Sequence, residues 1–268
     1  MKLGIFDSGL GGLAVFSAIA QVMPELDLVY LGDNARAPYG SRSQQTIYEF
    51  TKQAVIHLFD RQDCSLVILA CNTASAEALR KLQREFLPLH YPDRKILGVI
   101  RPIVEEAGKR SAKKVLVLAT RSTVDSGAYL RELGNICPNT KIVQQAAPLL
   151  VPMIEEGWGG TKELDCVLRK YLDEVMDGDI DFLIPACTHY SLLFEELKRI
   201  LPSSVSIMDT PTLVAVALKE YLSRHREILS KLGSKGSRDF LVTDMMPQYN
   251  EMALRLLGTV VEFKKVGI

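Results

Sequence analysis

Two cysteines in this sequence stand in closely similar settings. Cys71 follows the apolar run Leu66-Val67-Ile68-Leu69-Ala70 and precedes Asn72-Thr73, while Cys187 follows Phe182-Leu183-Ile184-Pro185-Ala186 and precedes Thr188-His189. Each sits where an apolar strand gives way to polar residues and then to a helix. The free N–H groups and the dipole of a helix N-terminus favour a thiolate there. A thiol paired with a thiolate suits one reaction well. One sulfur takes a proton from one face of a carbon, the other returns a proton from the opposite face, and their states exchange with each turnover. Racemising an amino acid at Cα without a cofactor has this requirement. A cysteine taken alone is more often a small buried hydrophobe; the pairing is what points to chemistry. Both sulfurs reach one carbon only if they stand roughly 6–9 Å apart across a shared cleft.

Other polar residues gather around these two. Asn72, Thr73 and Thr188 follow the cysteines and could hold an α-carboxylate together with helix N-terminal N–H groups. His189 could raise the thiolate content of Cys187 or relay protons; its plainer role is a surface or capping residue. Asp7 ends an apolar run and could orient Cys71, deprotonate it, or bind a substrate ammonium. Its plainer role is a turn or cap. A competing reading starts from Gly9, Gly11 and Ala14, which fit the loose dinucleotide fingerprint, with Asp33 near the place of the ribose-binding acid. That would make the chain an NAD(P)-dependent oxidoreductase. Against it, Asp7 would set a carboxylate beside the pyrophosphate, and the paired cysteines would have no use. A phosphatase-type C-x5-R is absent, because positions 77 and 193 are Glu77 and Leu193.

The elements that must position these groups follow from periodicity. Short apolar runs predict strands at 3–6, 28–31, 66–70, 96–99, 114–118, 141–143, 182–184, 205–208, 240–242 and 260–263. Segments of helical period lie at 13–22, 44–60, 74–86, 126–133, 163–176, 192–200, 212–223 and 248–257, and the Ser-, Gly- and Lys-rich 230–237 reads as a surface connection. Strands alternating with helices predict parallel sheets covered on both faces. The two cysteines are 116 residues apart (187 − 71), and the strand near 115 answers the one near 3 at 112 residues (115 − 3). These offsets predict an α/β fold of two similar doubly wound domains, pseudo-symmetric, with a cysteine from each facing one cleft. Ligands of open α/β sheets bind at the carboxyl ends of strands.

The bulk composition sets the class. A chain of 268 residues, 47% apolar, is comfortable for two domains, and its 32 acidic and 32 basic residues cancel. Zero net charge lacks the footprint of a nucleic-acid binder, so none is expected as a partner. No apolar run approaches the ~20 residues of a membrane span. Five cysteines with no C-x-x-C spacing predict neither a disulfide framework nor a zinc site. With no signal peptide expected, the chain reads as cytoplasmic.

Longer motifs carry a resemblance. FDSGLGGLAV (6–15), LGDNARAPYGSRS (31–43), ACNTASA (70–76), STVDSGAY (122–129), VPMIEEG (151–157), ACTHYSLL (186–193) and FLVTDMMPQYNEMALRLLG (240–258) are similar to glutamate racemases, within the aspartate/glutamate racemase family, and so is GVI before Arg101. The resemblance spans essentially the whole chain. It implies a first domain of residues 1–98 closed by 210–268, a second of 99–209, and the active site between them. It implies racemisation of glutamate without cofactor or metal, supplying D-glutamate for the bacterial cell wall, with an aspartate-specific racemase as the alternative. Cys71 and Cys187 match the proton donor/acceptors, the former serving the D-enantiomer and the latter the L-enantiomer. Asp7, Ser8, Tyr39, Gly40, Asn72, Thr73, Thr188 and His189 match substrate-contacting positions, and Asp33, Glu155 and His189 match auxiliary acids or bases. The chain departs from the family's usual pattern at Ala186, Ser191 and Ala147, where Gly, Pro and Cys are common. A homodimer is left open as an assembly.

Overall fold

The computed structural model describes residues 1–176 and 179–268. Among these residues ten strands form two sheets: β1 (Lys2–Asp7), β2 (Leu28–Gly32), β3 (Cys64–Leu69), β4 (Lys95–Gly98), β5 (Lys114–Ala119), β6 (Lys141–Ala146), β7 (Phe182–Ala186), β8 (Ser206–Ile207), β9 (Arg238–Val242) and β10 (Phe263–Lys265). The larger sheet runs β10-β9-β2-β1-β3-β4 and the smaller β6-β5-β7-β8. Every pairing is parallel, with Phe6 beside Leu69 in one sheet and Ala119 beside Ala186 in the other.

The order β2-β1-β3-β4 repeats as β6-β5-β7-β8. The internal echo is therefore a topological one: Cys71 follows β3 and Cys187 follows β7, at equivalent places. In both halves the chain reverses its direction of travel across the sheet beside the first strand. That is where a crevice opens at the carboxyl ends. β9 and β10 extend only the first sheet.

Alternation along the strands explains how the halves join. Leu3, Ile5, Leu66, Ile68, Leu116, Leu118 and Leu183 point into one core shared by both sheets. Their neighbours Val67 and Leu69 point into a second cluster, and Val115, Val117 and Ile184 into a third. The helices Leu13–Val22 and Thr210–Arg224 add Phe16, Ile19, Val214 and Leu218 to the shared core. Two faces of apolar surface thus fuse the halves behind the crevice.

The helices depart from the sequence reading in instructive places. The helix expected over 74–86 begins at Asn72 and runs in short pieces to His90, through a π-turn at Leu82–Phe86. The helix Ile100–Lys109 lies where the periodicity predicts none. It buries Ile100, Ile103, Val104 and Ala107 on one stripe, and its Pro102 sits in the first turn, where no backbone donor is lost. Thr120 caps a short helix, Arg121–Asp125, before Gly127, at φ 63°, starts Ala128–Ile136.

Gly12 lies buried against β1: a Cβ there would meet Asp7 Cβ at 2.5 Å and Asp7 Cγ at 2.9 Å. Gly12→Ala is expected to cost about 1–3 kcal/mol by overpacking, read as a lowered urea midpoint with an unchanged slope.

Candidate active site

The strand ends frame a cleft of about 300 Å³ whose lining includes Cys71 and Cys187. Cys71 is the N-cap of the helix Asn72–Glu77: Ala74 N–H donates to its Sγ at 3.4 Å, and its S–H donates to Ser8 Oγ at 3.4 Å. A strand running straight into a helix leaves the capping side chain at the opening. Cys187 enters instead a 3₁₀ turn, Thr188–Leu193, and gains no such cap. The two thiols are equivalent in topology and differ in surroundings.

Ser8, Tyr39, Gly40, Asn72, Thr73, Glu155, Thr188 and His189 line the same cleft. Of the residues singled out from sequence, Asp7 and Asp33 are not in its lining; both are fully buried behind it. Asp7 Oδ2 accepts from Gly9 N–H at 3.1 Å and Oδ1 from Thr188 Oγ1 at 3.2 Å, so this carboxylate ties β1 to the turn after Cys187. Asp33 Oδ2 accepts from Tyr39 Oη at 2.5 Å, turning that hydroxyl away from the cleft.

Thr120 and Arg121 gave no sequence signal. They line the cleft with Pro148, Val151 and Pro152, and with Gly9, Ala37, Pro38 and Ser41. Thr73 Oγ1 lies 3.0 Å from Thr120 Oγ1 and 3.2 Å from Thr123 Oγ1, a hydroxyl cluster bridging the halves. Tyr129 Oη donates to Asn72 Oδ1 at 2.7 Å. With its carbonyl so engaged, the amide N–H₂ of Asn72 is the group left to donate to a ligand. STVDSGAY contained both Thr123 and Tyr129 as motif letters, but only packing across the cleft gives them a use.

The glycines of the dinucleotide-like segment have another explanation. A Cβ on Gly11 would stand 2.6 Å from Thr188 Oγ1 and 2.8 Å from His189 N, and one on Gly9 would stand 3.5 Å from His189 Cε1. They let the second half press against the first, and a pyrophosphate has no room in that contact. The oxidoreductase reading loses its motif.

The electrostatics separate the two cysteines. Burial, then the nearby Asp7 carboxylate, push the Cys71 thiol up to about 12, despite its hydrogen bonds with Ser8 and Ala74. Burial alone would lower His189; the adjacent Cys187 sulfur and the Glu155 carboxylate, 3.0 Å from His189 Nε2, outweigh it and raise the imidazole to about 10. Burial also raises Asp7, opposed by His189, the N–H groups of Gly9 and Gly12, and Thr188. At neutral pH the cleft therefore holds a neutral thiol at Cys71 and a cation beside Cys187. No group of three or more His, Cys, Asp or Glu residues among those described is arranged to hold a metal ion.

Thiol pairs on a doubled parallel α/β scaffold define a class. Residues 11–218 match the Asp/Glu/Hydantoin racemase family, and the chain belongs to it; it is an amino-acid racemase. Among its relatives, the glutamate racemase of Sulfurihydrogenibium sp. (strain YO3AOP1) is 37% identical over 261 residues, covering 97% of this chain and 95% of that protein. The glutamate racemase of Francisella tularensis subsp. tularensis SCHU S4, solved in complex with D-glutamate, superposes with a TM-score of 0.88 at 30% identity, covering 99% of this chain and 97% of that one. Picrophilus torridus aspartate racemase shares the fold, with a TM-score of 0.54 at 20% identity over 85% of this chain and 99% of that one.

The raised His189 has a consequence for stability. Its pKa rises from an unfolded 6.5 to about 10 in the folded chain. Its charged form therefore contributes fully below pH 6.5, and that contribution fades as pH climbs through about 10. The gap in urea midpoint between wild type and His189→Asn should be widest near pH 6 and close above pH 10.

Proposed function

We propose that this chain interconverts L- and D-glutamate by passing the Cα proton between Cys71 and Cys187, with no cofactor. The carrying observation is that one cysteine from each sheet, at equivalent strand ends, lines a single cleft. Glutamate, rather than aspartate, is supported by full-length relatives named glutamate racemase at 37–38% identity.

In this reading the substrate Cα sits between the sulfurs. Cys187, as thiolate, takes the Cα proton of the L-enantiomer: the C–H bond breaks, an S–H bond forms, and the electron pair spreads into the α-carboxylate. Cys71 then gives its thiol proton to the opposite face, and its own sulfur keeps the electron pair. The next D-enantiomer is read in reverse. His189 is the counter-charge for a thiolate at Cys187, and Glu155 holds that imidazole in place. Preorganised donors aimed at the developing enolate do most of the stabilising; we assign Asn72, Thr73 and Thr188 to the α-carboxylate, and Ser8 with the Tyr39–Gly40 turn to the other end.

We divide the chain into a first domain of 1–98 with 210–268 and a second of 99–209. The membership of β1–β4, β9 and β10 in one sheet and β5–β8 in the other supports this division. Five free thiols support a reducing, cytoplasmic setting. There the product would feed peptidoglycan synthesis.

Incubation with L-glutamate in deuterated water tests the reading. The D-glutamate formed should carry deuterium at Cα, and optical rotation should decay to zero. Cys71→Ser and Cys187→Ser should each lower racemisation in both directions by at least about 100-fold with an unchanged urea midpoint. Near-native turnover in either variant overturns the two-thiol mechanism.

A further inference from the structure

Asp33 directly follows β2, has no exposed surface, and does not line the cleft. Its carboxylate is fully engaged. Oδ2 accepts from Tyr39 Oη at 2.5 Å and Arg36 Nε at 2.7 Å, and Oδ1 accepts from Thr243 Oγ1 at 2.9 Å. Its own N–H donates to Asp7 O at 3.0 Å. Thr243, just past β9, reinforces the same junction: its N–H donates to Gly32 O at 3.0 Å, and its Oγ1 accepts from Ala35 N–H at 2.9 Å. Arg36 is stacked 4.3 Å from the centre of the Phe50 ring and also reaches Gln53. Between Arg36 and the end of this loop lie Tyr39 and Gly40, both in the cleft wall.

We propose that Asp33 is a positioning residue: one buried carboxylate binds the Tyr39 hydroxyl, the Arg36 guanidinium and the Thr243 hydroxyl, and so fixes where the 34–41 loop stands in the cleft. A proton carrier would need a route to substrate, and of the groups hydrogen-bonded to Asp33 the one in the cleft wall is Tyr39. Burial, and next the Asp33 carboxylate itself, raise the Tyr39 phenol far above its ordinary range, so its proton stays in place. What Tyr39 offers a ligand is then its ring and backbone. Gly40 is held equally tightly: a Cβ there would meet Thr120 Cβ at 2.7 Å. A loop pinned at one end by Asp33 and pressed at the other against the second half has a single position. The residue just past β9, Thr243, thereby contributes to the site without lining the cleft.

The effect on catalysis rests on the racemase reading, but the clamp itself does not, and the experiment separates them. Hydrogen–deuterium exchange of the peptide covering 34–41 is compared in wild type, Asp33→Asn, Tyr39→Phe and the double variant. Steady-state kinetics with both glutamate enantiomers are measured across pH on the same samples. Asp33→Asn should speed exchange of 34–41 by about tenfold or more while β5 stays protected. It should raise KM for both enantiomers about fivefold or more, with a smaller fall in kcat and no shift in the pH profile. Tyr39→Phe should act in the same direction, and the double variant should be no worse than the worse single one, because both remove one interaction. Unchanged exchange of 34–41 overturns the proposal whatever the activity. So does a fall in kcat of about 100-fold or more at constant KM, or loss of one limb of the pH profile, the marks of a proton carrier. If Asp33→Asn does not fold, Thr243→Val removes one of its three bonds and carries the same exchange test. A wild type that fails to turn over glutamate would break the functional reading and leave the exchange result standing.

Discussion

A carboxylate with no exposed surface needs partners, and Asp7 finds them in both halves of the molecule. Gly9 supplies a backbone N–H from its own loop and Thr188 supplies a hydroxyl from the turn after Cys187. An unpaired buried charge is among the costliest defects a fold can carry. Satisfying this one requires the carboxyl ends of β1 and β7 to come together, and that approach puts two cysteines on one cleft. Gly11 has no side chain to obstruct it, and Tyr30 Oη, donating to Gly9 O at 2.7 Å, holds the loop in shape from below.

The same contact gives a symmetric scaffold asymmetric electrostatics. Strand order repeats between the sheets, so the sulfurs start in equivalent places. Asp7 lies nearer the problem of Cys71, where its negative charge adds to burial and favours the thiol. His189, held by Glu155, lies at Cys187, where a positive charge suits the opposite state. In the proposed two-base reading each turnover starts from one thiol and one thiolate, and this pair of neighbours would set that starting arrangement. Both neighbours are buried, so bulk salt screens them little.

Around this centre the walls are braced from behind. Tyr129 turns the Asn72 amide, the Thr73, Thr120 and Thr123 hydroxyls bridge the halves, and Asp33 fastens the Tyr39 loop to the end of β9. None of these braces is charged on the cleft side. They fix donors in place before any ligand arrives, the arrangement by which a site stabilises developing charge without reorganising.

From the sequence alone came nine of the ten strands described, with the last displaced from 260–263 to Phe263–Lys265, together with the paired cysteines at strand ends and the doubled α/β plan; the resemblance to glutamate racemases added Ser8, Tyr39, Gly40 and Glu155 of the cleft lining. Strand periodicity and a strand-to-helix junction are local patterns, so neighbouring residues suffice to read them. Tertiary structure decided that Asp7 and Asp33 stand behind the wall, that the Tyr39 hydroxyl points inward, and that Thr120, Arg121 and Tyr129 join the site. The reason is distance along the chain: Asp7 meets Thr188 across 181 residues, Asp33 meets Thr243 across 210, and Asn72 meets Tyr129 across 57. Such partners are chosen by the packing of sheets and helices, and no local pattern encodes them.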